Sequence, residues 1–257
     1  MSLSPFKVLL FDCYGTLIDW ETGMLENLVP LLQQTKSIDR ENIFKIVGHH
    51  EGRIQTKTPT MLYSQVLDGV YRATAKDLNL KDDDSHAAAF GASVPKWPAF
   101  EDSAHALERL SRLGLKLVIL SNVDNTSFEG SKQKLEKGFS FDALYTAEKS
   151  GANLRYRWLL ILTTCVVGSY KPSLNNFEYA LQHVKEDFGF GPEDILIVAN
   201  SKLHDIQPGH KKGLKAAWID RQKAVMGVSA FKDVIPDFQF PSMDAFADAM
   251  EKDKGLN

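Results

Sequence analysis

The sequence predicts an α/β protein in which a parallel β-sheet carries a helical insertion after its first strand. Two observations indicate this class. Short, continuously apolar runs alternate with helical patterns along most of the chain, which is typical of parallel strands covered by helices on both faces. Between the first and second of these runs, residues 21–90 place apolar side chains at three- and four-residue spacing and contain no strong strand pattern.

The first strand is predicted over residues 7–12, an apolar run that ends in Asp12 and is followed at once by Cys-Tyr-Gly-Thr. A continuous apolar run of this length fits a buried parallel strand that leads into a turn. After the helical region, Pro95 and Pro98 interrupt the pattern, and Asp102 is expected to cap a helix that extends to about Leu113.

The remaining strands are predicted from four later apolar runs, at residues 116–122, 141–148, 194–199 and, more weakly, 216–219. Helical patterns at 174–187 and 205–212 separate the later strands. Strands that alternate with helices imply right-handed crossovers between parallel neighbours.

One segment does not fit this scheme. Residues 149–167 carry a long aromatic and aliphatic run where such a connection usually has about 2–6 residues, so we expect an insertion foreign to the fold, with an accessory helix as the alternative.

Composition restricts the functional classes. The chain has 257 residues, enough for one large domain or a core with an insertion. Its net charge of −3 gives no electrostatic reason to expect nucleic acid as a partner. Its two cysteines, Cys13 and Cys165, suggest neither a disulfide framework nor a zinc site. No secretory signal and no apolar run long enough for a membrane span are visible, so we expect a cytoplasmic protein.

Polar residues follow four of the predicted strands, at the sheet edge where open α/β proteins bind their ligands. They are Asp12, then Ser121 and Asn122, then Glu148, and finally Asn200 and Ser201, with Lys171 and Asp205 in the adjoining loops. Any one of them could simply begin a loop. Their joint placement indicates a site for a small molecule.

The residues at this edge also carry a resemblance. Phe-Asp12-Cys-Tyr14-Gly-Thr16-Leu, Ser121-Asn122, Lys171-Pro and Asn200-Ser-Lys-Leu-His-Asp205 occur in the order of the four motifs of the haloacid dehalogenase superfamily. The resemblance implies a Rossmann-like core formed by residues 1–18 and 93–257, with residues 19–92 as a helical cap domain. It also implies that Asp12 is a covalent nucleophile, because a carboxylate can form an ester that water later hydrolyses.

Further roles follow from the resemblance. Lys171 would keep Asp12 ionised, and Asp205 would direct the hydrolytic water. Tyr14, Thr16, Ser121, Asn122, Asn200 and Ser201 would bind the substrate or orient Asp12. The dehalogenase branch receives the halide with an arginine of the cap domain; Arg53 is our candidate, with Arg72 as the alternative.

Tyr14 decides which chemistry we expect. Superfamily phosphatases have a second Asp at this position, as the acid that protonates the leaving alcohol, and they use Mg²⁺. A tyrosine is a poor acid for that task, whereas a departing halide needs no proton. The resemblance is therefore closest to the L-2-haloacid dehalogenase branch, for which no metal or other cofactor is expected.

Two departures from that branch keep alternatives open. Phe177 stands where the branch has a Tyr, and Asn200 and Lys202 stand where it has a Ser and an Asn. A Mg²⁺-dependent phosphatase of small phosphate esters is one alternative, although Lys202 could occupy the space of the cation. A non-catalytic binding protein is another, because fold alone does not fix function. Formation of a homodimer is also open.

Overall fold

The computed structural model describes residues 2–35, 38–146, 164–166, 169–221, 231 and 233–255. The seven strands in these residues form one sheet in which every pair of neighbours is parallel. They are β1 (Val8–Phe11), β2 (Lys116–Ser121), β3 (Ala143–Thr146), β4 (Thr164–Val166), β5 (Ile195–Ala199), β6 (Lys215–Ile219) and β7 (Phe238–Phe240). Their order across the sheet is β4-β3-β2-β1-β5-β6-β7. The predicted α/β class with a Rossmann-like parallel sheet is confirmed.

The central strands are apolar on both faces because helices cover both sides of the sheet. Leu9 and Phe11 of β1 pack into one apolar cluster, while Val8 and Leu10 pack into another. Alternate side chains of a strand point to opposite faces, so a strand buried on both sides must be continuously apolar. This explains why the first strand could be recognised in the sequence as an uninterrupted run.

Nine α-helices lie in the described residues. The cap helices α1 (Trp20–Leu32), α2 (Arg40–Lys57), α3 (Tyr63–Asp77) and α4 (Asp84–Gly91) all follow β1 and precede β2. The others are α5 (Ser103–Arg112), α6 (Asn125–Leu135), α7 (Leu174–Phe188), α8 (Gln207–Lys211) and α9 (Met243–Asp253). The helical cap predicted after the first strand is therefore present.

The strand order places a switch point between β1 and β5. From β1 the chain proceeds outward through β2, β3 and β4, and it then returns to the other side of β1 to form β5. The loops that follow β1 and β5 consequently diverge and leave a crevice beyond the carboxyl ends of these strands. Asp12 follows β1, and Asn200 and Ser201 follow β5, so both motifs lie at this crevice.

Several predicted elements differ from the structure. β4 and β7 were not predicted, because three-residue strands at the two edges of the sheet give almost no periodic signal. β4 lies within residues 149–167, and it pairs with β3; the rest of that predicted insertion lies outside the described residues. The helix predicted from Asp205 begins earlier, as a π-helical turn over Lys202–Ile206 that runs into α8.

Asp102 occupies the N-cap position of α5, as predicted, but its side chain makes no capping hydrogen bond. Its carboxylate instead accepts two hydrogen bonds from the Arg221 guanidinium, at 2.8 and 2.9 Å, and one from the backbone N–H of Met243 at 2.8 Å. Both bonds from Arg221 come from one guanidinium nitrogen, Nη1, and such charge-assisted hydrogen bonds compete well for a carboxylate. Asp102 thus ties α5 to the start of α9.

Within the described part of the chain, no helix is both long and apolar enough to cross a bilayer.

Candidate active site

Asp12 lies directly after β1, with only 8% of its surface exposed. Its Oδ1 accepts a hydrogen bond from Lys171 Nζ at 2.8 Å, and its Oδ2 accepts one from Thr16 Oγ1 at 2.7 Å. Each carboxylate oxygen can accept a second hydrogen bond or attack an electrophile with its remaining lone pair. Asp12 is therefore both held in place and chemically available.

Lys171 joins the two motif acids. Its ammonium lies 2.8 Å from Asp12 Oδ1 and 2.6 Å from Asp205 Oδ1, and it also donates to the carbonyl oxygen of Leu120 at 2.8 Å. These bonds use its three N–H donors. We call Asp12, Lys171 and Asp205 the floor of the site.

Asn122 fixes the backbone of Lys171. Its Oδ1 accepts from the Lys171 N–H at 2.6 Å, and its Nδ2 donates to the Lys171 carbonyl at 3.1 Å. An amide side chain that pairs with both backbone groups of one residue sets where that residue's side chain begins. Asn122 therefore positions Lys171, although it also lines the cavity described below.

Burial shifts the protonation equilibria of the floor. Burial alone would lower the pKa of Lys171, but the carboxylates of Asp12 and Asp205 outweigh it and raise that pKa above its ordinary value. Burial, partly offset by the Lys171 ammonium and reinforced by the Asp12 charge, raises the pKa of Asp205 to about 7. Asp205 Oδ2 is buried and has no hydrogen-bond partner among the described residues. Asp205 can thus act as an acid or a base near neutral pH.

Thr16 and Asn200 support the floor. Thr16 Oγ1 donates to Asp12 and accepts from the Asn200 N–H at 2.9 Å, and Thr16 is fully buried. Asn200 Nδ2 donates to the carbonyl of Ile219 at 2.8 Å. Of the two roles considered for Thr16, the geometry corresponds to orienting Asp12. Substrate binding by the Asn200 side chain stays a prediction, with one of its two polar groups occupied.

Ser201 and His204 form a separate contact at the start of the π-helical turn. Ser201 Oγ accepts from the His204 N–H at 3.1 Å and lies 3.2 Å from His204 Nδ1. Burial, followed by the nearby Lys171 charge, lowers the pKa of His204 to about 4. His204 is consequently a neutral imidazole at physiological pH. It lines the cavity, which the sequence analysis did not anticipate.

Tyr14 lies two residues after Asp12, is partly buried and packs against the apolar core. Its hydroxyl pairs with Ser131 Oγ at 2.8 Å, and its ring packs edge-to-face on Trp97 with centroids 5.8 Å apart. Burial raises the pKa of Tyr14 well above its ordinary value, and the neighbouring Cys13 raises it further. Tyr14 therefore gives up a proton even less readily than a free tyrosine.

A cavity of about 510 Å³ opens above the floor. Its lining includes all three floor residues and residues of the cap. The lining residues are Asp12, Tyr14, Trp20, Glu41, Lys45, Gly48, Glu51, Gly52, Gln55, Tyr63, Ser121, Asn122, Val123, Lys171, Asn200, Ser201, Leu203, His204, Asp205 and Phe231.

The cap contributes one polar face of α2. We call Glu41, Lys45, Glu51 and Gln55 the roof of the site. Glu41 and Lys45 are four residues apart, as are Glu51 and Gln55, and at about 100° per residue all four fall within about 120° of the helix circumference. None of these four residues was predicted from the sequence, because site residues were expected at strand ends and not on the polar stripe of a cap helix, although the spacing of that stripe is visible in the sequence.

Arg53 and Arg72 do not belong to the described lining of the cavity. Arg53 is exposed, and its guanidinium lies 3.4 Å from His50 Nδ1. Arg72 pairs with Asp68, Asp82 and Asp84.

Lys202 does not fill a cation position beside Asp12. Its Nζ lies 4.3 Å from the centroid of the Trp218 ring, and Lys171 is the cation between the acids.

Comparison with known proteins shows the family. The haloacid dehalogenase-like hydrolase family matches residues 6–211. The chain belongs to this family, and it is a hydrolase of the haloacid dehalogenase superfamily.

The individual relatives are distant. An (S)-2-haloacid dehalogenase of Pseudomonas putida is 24% identical over 233 residues, which cover 87% of this chain and 89% of the relative. A phosphoserine phosphatase of Thermus thermophilus is 26% identical over 135 residues, or 52% of this chain and 46% of the relative. The solved L-2-haloacid dehalogenase of Xanthobacter autotrophicus has a TM-score of 0.68 at 18% identity and covers 95% of this chain and 97% of its own. A second structure of that enzyme has chloropropionic acid covalently bound.

Proposed function

We propose that this hydrolase removes halide from small 2-halocarboxylic acids, with Asp12 as the nucleophile. The observation that supports the proposal is Tyr14, a partly buried phenol with a raised pKa at the position where a phosphatase needs an acid. An alkoxide leaving group requires a proton, whereas a halide departs without one. The similarity to (S)-2-haloacid dehalogenases over most of the chain also favours release of halide over release of phosphate.

The first step would form an ester. An Asp12 carboxylate oxygen attacks C2 of the substrate, the carbon–halogen bond breaks, and the halide leaves with the bonding electrons. Lys171 and Thr16 each hold one Asp12 oxygen, at 2.8 and 2.7 Å, so the attacking group is already oriented before the substrate binds.

The second step would hydrolyse that ester. Asp205 takes one proton from water while the water oxygen attacks the carboxyl carbon of Asp12. The ester C–O bond then breaks, the other proton of the water passes to the departing alkoxide oxygen, and the 2-hydroxy acid leaves as Asp12 regains its charge. Asp205 suits this role because its Oδ2 has no partner in the described chain and its pKa is raised to about 7. Phe177, where the dehalogenase branch has Tyr, is buried under α8 and does not line the cavity.

The floor is a poor fit for Mg²⁺. The ion needs a near-octahedral shell of oxygens, in which one or two carboxylates and several waters are the usual ligands. Here one oxygen of each acid is bound to the Lys171 ammonium, Asp12 Oδ2 is bound to Thr16, and the described residues contain no group of three or more acids, histidines and cysteines that could hold a metal. We therefore assign Mg²⁺ no part in either step.

The domain boundaries belong to the same proposal. We assign residues 1–18 and 93–257 to the catalytic core and 19–92 to the cap, since α1–α4 fall between β1 and β2. Residues 149–167 remain our candidate for a segment foreign to this core, and β4 is the part of them that the structure describes.

A side-by-side assay tests the function. We expect chloride release from L-2-chloropropionate that is unchanged by EDTA, and no comparable phosphate release from p-nitrophenyl phosphate. Phosphate release that requires Mg²⁺ would establish the phosphatase alternative instead. Neither product, from protein shown to be folded, would leave a binding protein that retains the fold.

A further inference from the structure

Glu51 is the roof residue whose surroundings call for an explanation. It is partly buried, it lines the cavity, and its Oε1 accepts hydrogen bonds from Tyr63 OH at 2.9 Å and from Gln55 Nε2 at 3.2 Å. Its Oε2 has no hydrogen-bond partner among the described residues. The two donors therefore hold the carboxylate in place and leave one oxygen free for a ligand.

The charges around the cavity are unbalanced. Four acids line it, Asp12, Glu41, Glu51 and Asp205, against two lysines. Lys171 is bound to Asp12 and Asp205, and Lys45 is paired with Glu41 at 2.6 Å. Among the described lining residues, Glu51 is left as the acid without a cation.

A carboxylate without a cation in this cavity is energetically unfavourable when no ligand is bound. Burial raises the pKa of Glu51, although its hydrogen bonds from Tyr63 and Gln55 lower it again. An anionic 2-haloacid would add a further negative charge to the cavity. A substrate with its own ammonium group would add no net charge and would give Glu51 a cation.

The size of the cavity also favours a substrate longer than a three-carbon haloacid. Its volume of about 510 Å³ is within the range of about 300–1,000 Å³ found for pockets that enclose drug-sized ligands. A three-carbon haloacid would occupy only the part beside Asp12. The space toward α2 can take a longer side chain, and a Cβ placed on Gly52 would meet no atom within 4 Å.

We infer that Glu51 binds an ammonium group at the end of the substrate that lies away from the reacting carbon. The substrate class is then a 2-haloacid whose side chain ends in an amine. The halogen in this description rests on the proposed function, whereas recognition of the amine by Glu51 does not. Glu51 is a specificity residue in this scheme and takes no part in bond making or breaking.

Binding of halogen-free acids tests the inference without turnover. Titration calorimetry would compare 6-aminohexanoate with hexanoate, and the four- and eight-carbon pairs would cover other lengths. We expect the best amino acid of the series to bind wild-type protein about tenfold more tightly than the alkanoic acid of the same length. The reason is that its ammonium group adds a charge-assisted hydrogen bond that the alkyl chain cannot make. Equal affinity within every pair, or no binding by any of these acids, would overturn the inference.

Substitutions test whether Glu51 causes the preference for the amine. Glu51→Gln keeps the volume and removes the charge, so it should abolish the preference for the amine without weakening the binding of hexanoate. Glu26→Gln makes the same change at an exposed α1 position outside the described lining, and it should keep the full preference. A preference that survives in Glu51→Gln would refute the role of Glu51. If that variant does not fold, Tyr63→Phe removes one of the bonds that hold Glu51 and should weaken the preference without abolishing it; an unchanged preference there would count against the inference.

Kinetics separate this inference from the proposed function. The substrates are 6-amino-2-chlorohexanoate and 2-chlorohexanoate, and the ratio of their kcat/KM values should fall about tenfold in Glu51→Gln. A purely structural defect would lower both values together and leave the ratio unchanged. If neither substrate releases chloride while the binding preference holds, the dehalogenase proposal fails and amine recognition stands.

Discussion

The floor and the roof of the cavity differ in how their charges are held. On the floor, Lys171 is 3% exposed and bridges two buried acids. On the roof, Glu41 and Lys45 form a pair in which each side chain keeps nearly two thirds of its surface exposed. A charge buried with its partners has one defined position, whereas an exposed pair is screened and exchanges with water.

This difference indicates a division of labour. Bond making needs groups held close to one geometry before the substrate arrives, and the floor supplies them. Discrimination among substrates needs only a difference in affinity, which a few groups on a cap helix can provide. Substitutions on the floor should therefore affect turnover and stability far more than substitutions on the roof.

Asp12→Asn should give the largest effect. The amide has nearly the same volume but no nucleophilic charge, so halide release should fall by about 10⁴-fold or more. Chloride release and the melting temperature should be measured on protein whose mass excludes deamidation. A few per cent of residual activity in such a sample would remove Asp12 from the role of nucleophile.

Lys171→Met should strongly destabilise the fold. It leaves Asp12 and Asp205 buried together without a cation, and removing one partner of a buried charge group costs about 3–5 kcal/mol. Urea denaturation would measure the free energy of unfolding. Lys202→Met is the matched control, because Lys202 is also buried but lies over the Trp218 ring; equal losses in the two variants would show that Lys171 does not hold the acids together.

The pH dependence reports on Asp205. As a base it must be ionised, and its pKa is raised to about 7. We therefore expect the rate of ester hydrolysis to fall as the pH drops below about 7, approaching tenfold per pH unit. Single-turnover measurements between pH 5 and 9 would show this, and a flat profile down to pH 5 would exclude Asp205 as the base.

Tyr14→Asp should produce a smaller gain. A carboxylic acid at this position can protonate an alkoxide and add an oxygen ligand for a metal, so Mg²⁺-dependent phosphate release should rise by about tenfold or more. Tyr14→Asn, which has the same size without the acid, is the control. If both variants release phosphate at the wild-type rate, Tyr14 is not what separates the two chemistries.

Lys45→Gln should have the smallest effect. The side chain it changes is mostly exposed, and exposed ion pairs contribute little to stability. The urea midpoint should therefore match that of the wild type within error. A clear loss of stability would show that the roof is as tightly organised as the floor, and the comparison between them would fail.

The floor was predictable because its residues end or adjoin long buried strands. Asp12 follows an apolar run that burial on both faces of the sheet requires, and Lys171 and Asp205 lie in motifs of fixed order. β4 and β7 were not predictable, because each has three residues and lies at an edge of the sheet. The side-chain partners of Asp102 were not predictable either, because Arg221 and Met243 are more than one hundred residues away.

The sequence by itself determined the fold class, the family and the acids of the floor, since each depends on local patterns of burial and on motif residues. Only the tertiary structure decided which cap residues face Asp12. Among the described residues, Glu51, Tyr63 and His204 line the cavity, whereas the predicted Arg53 and Arg72 do not. The physical reason is that the rotation of a helix about its axis depends on how its apolar face packs. A polar residue's distance from a site on another element is therefore fixed by that packing and not by its place in the chain.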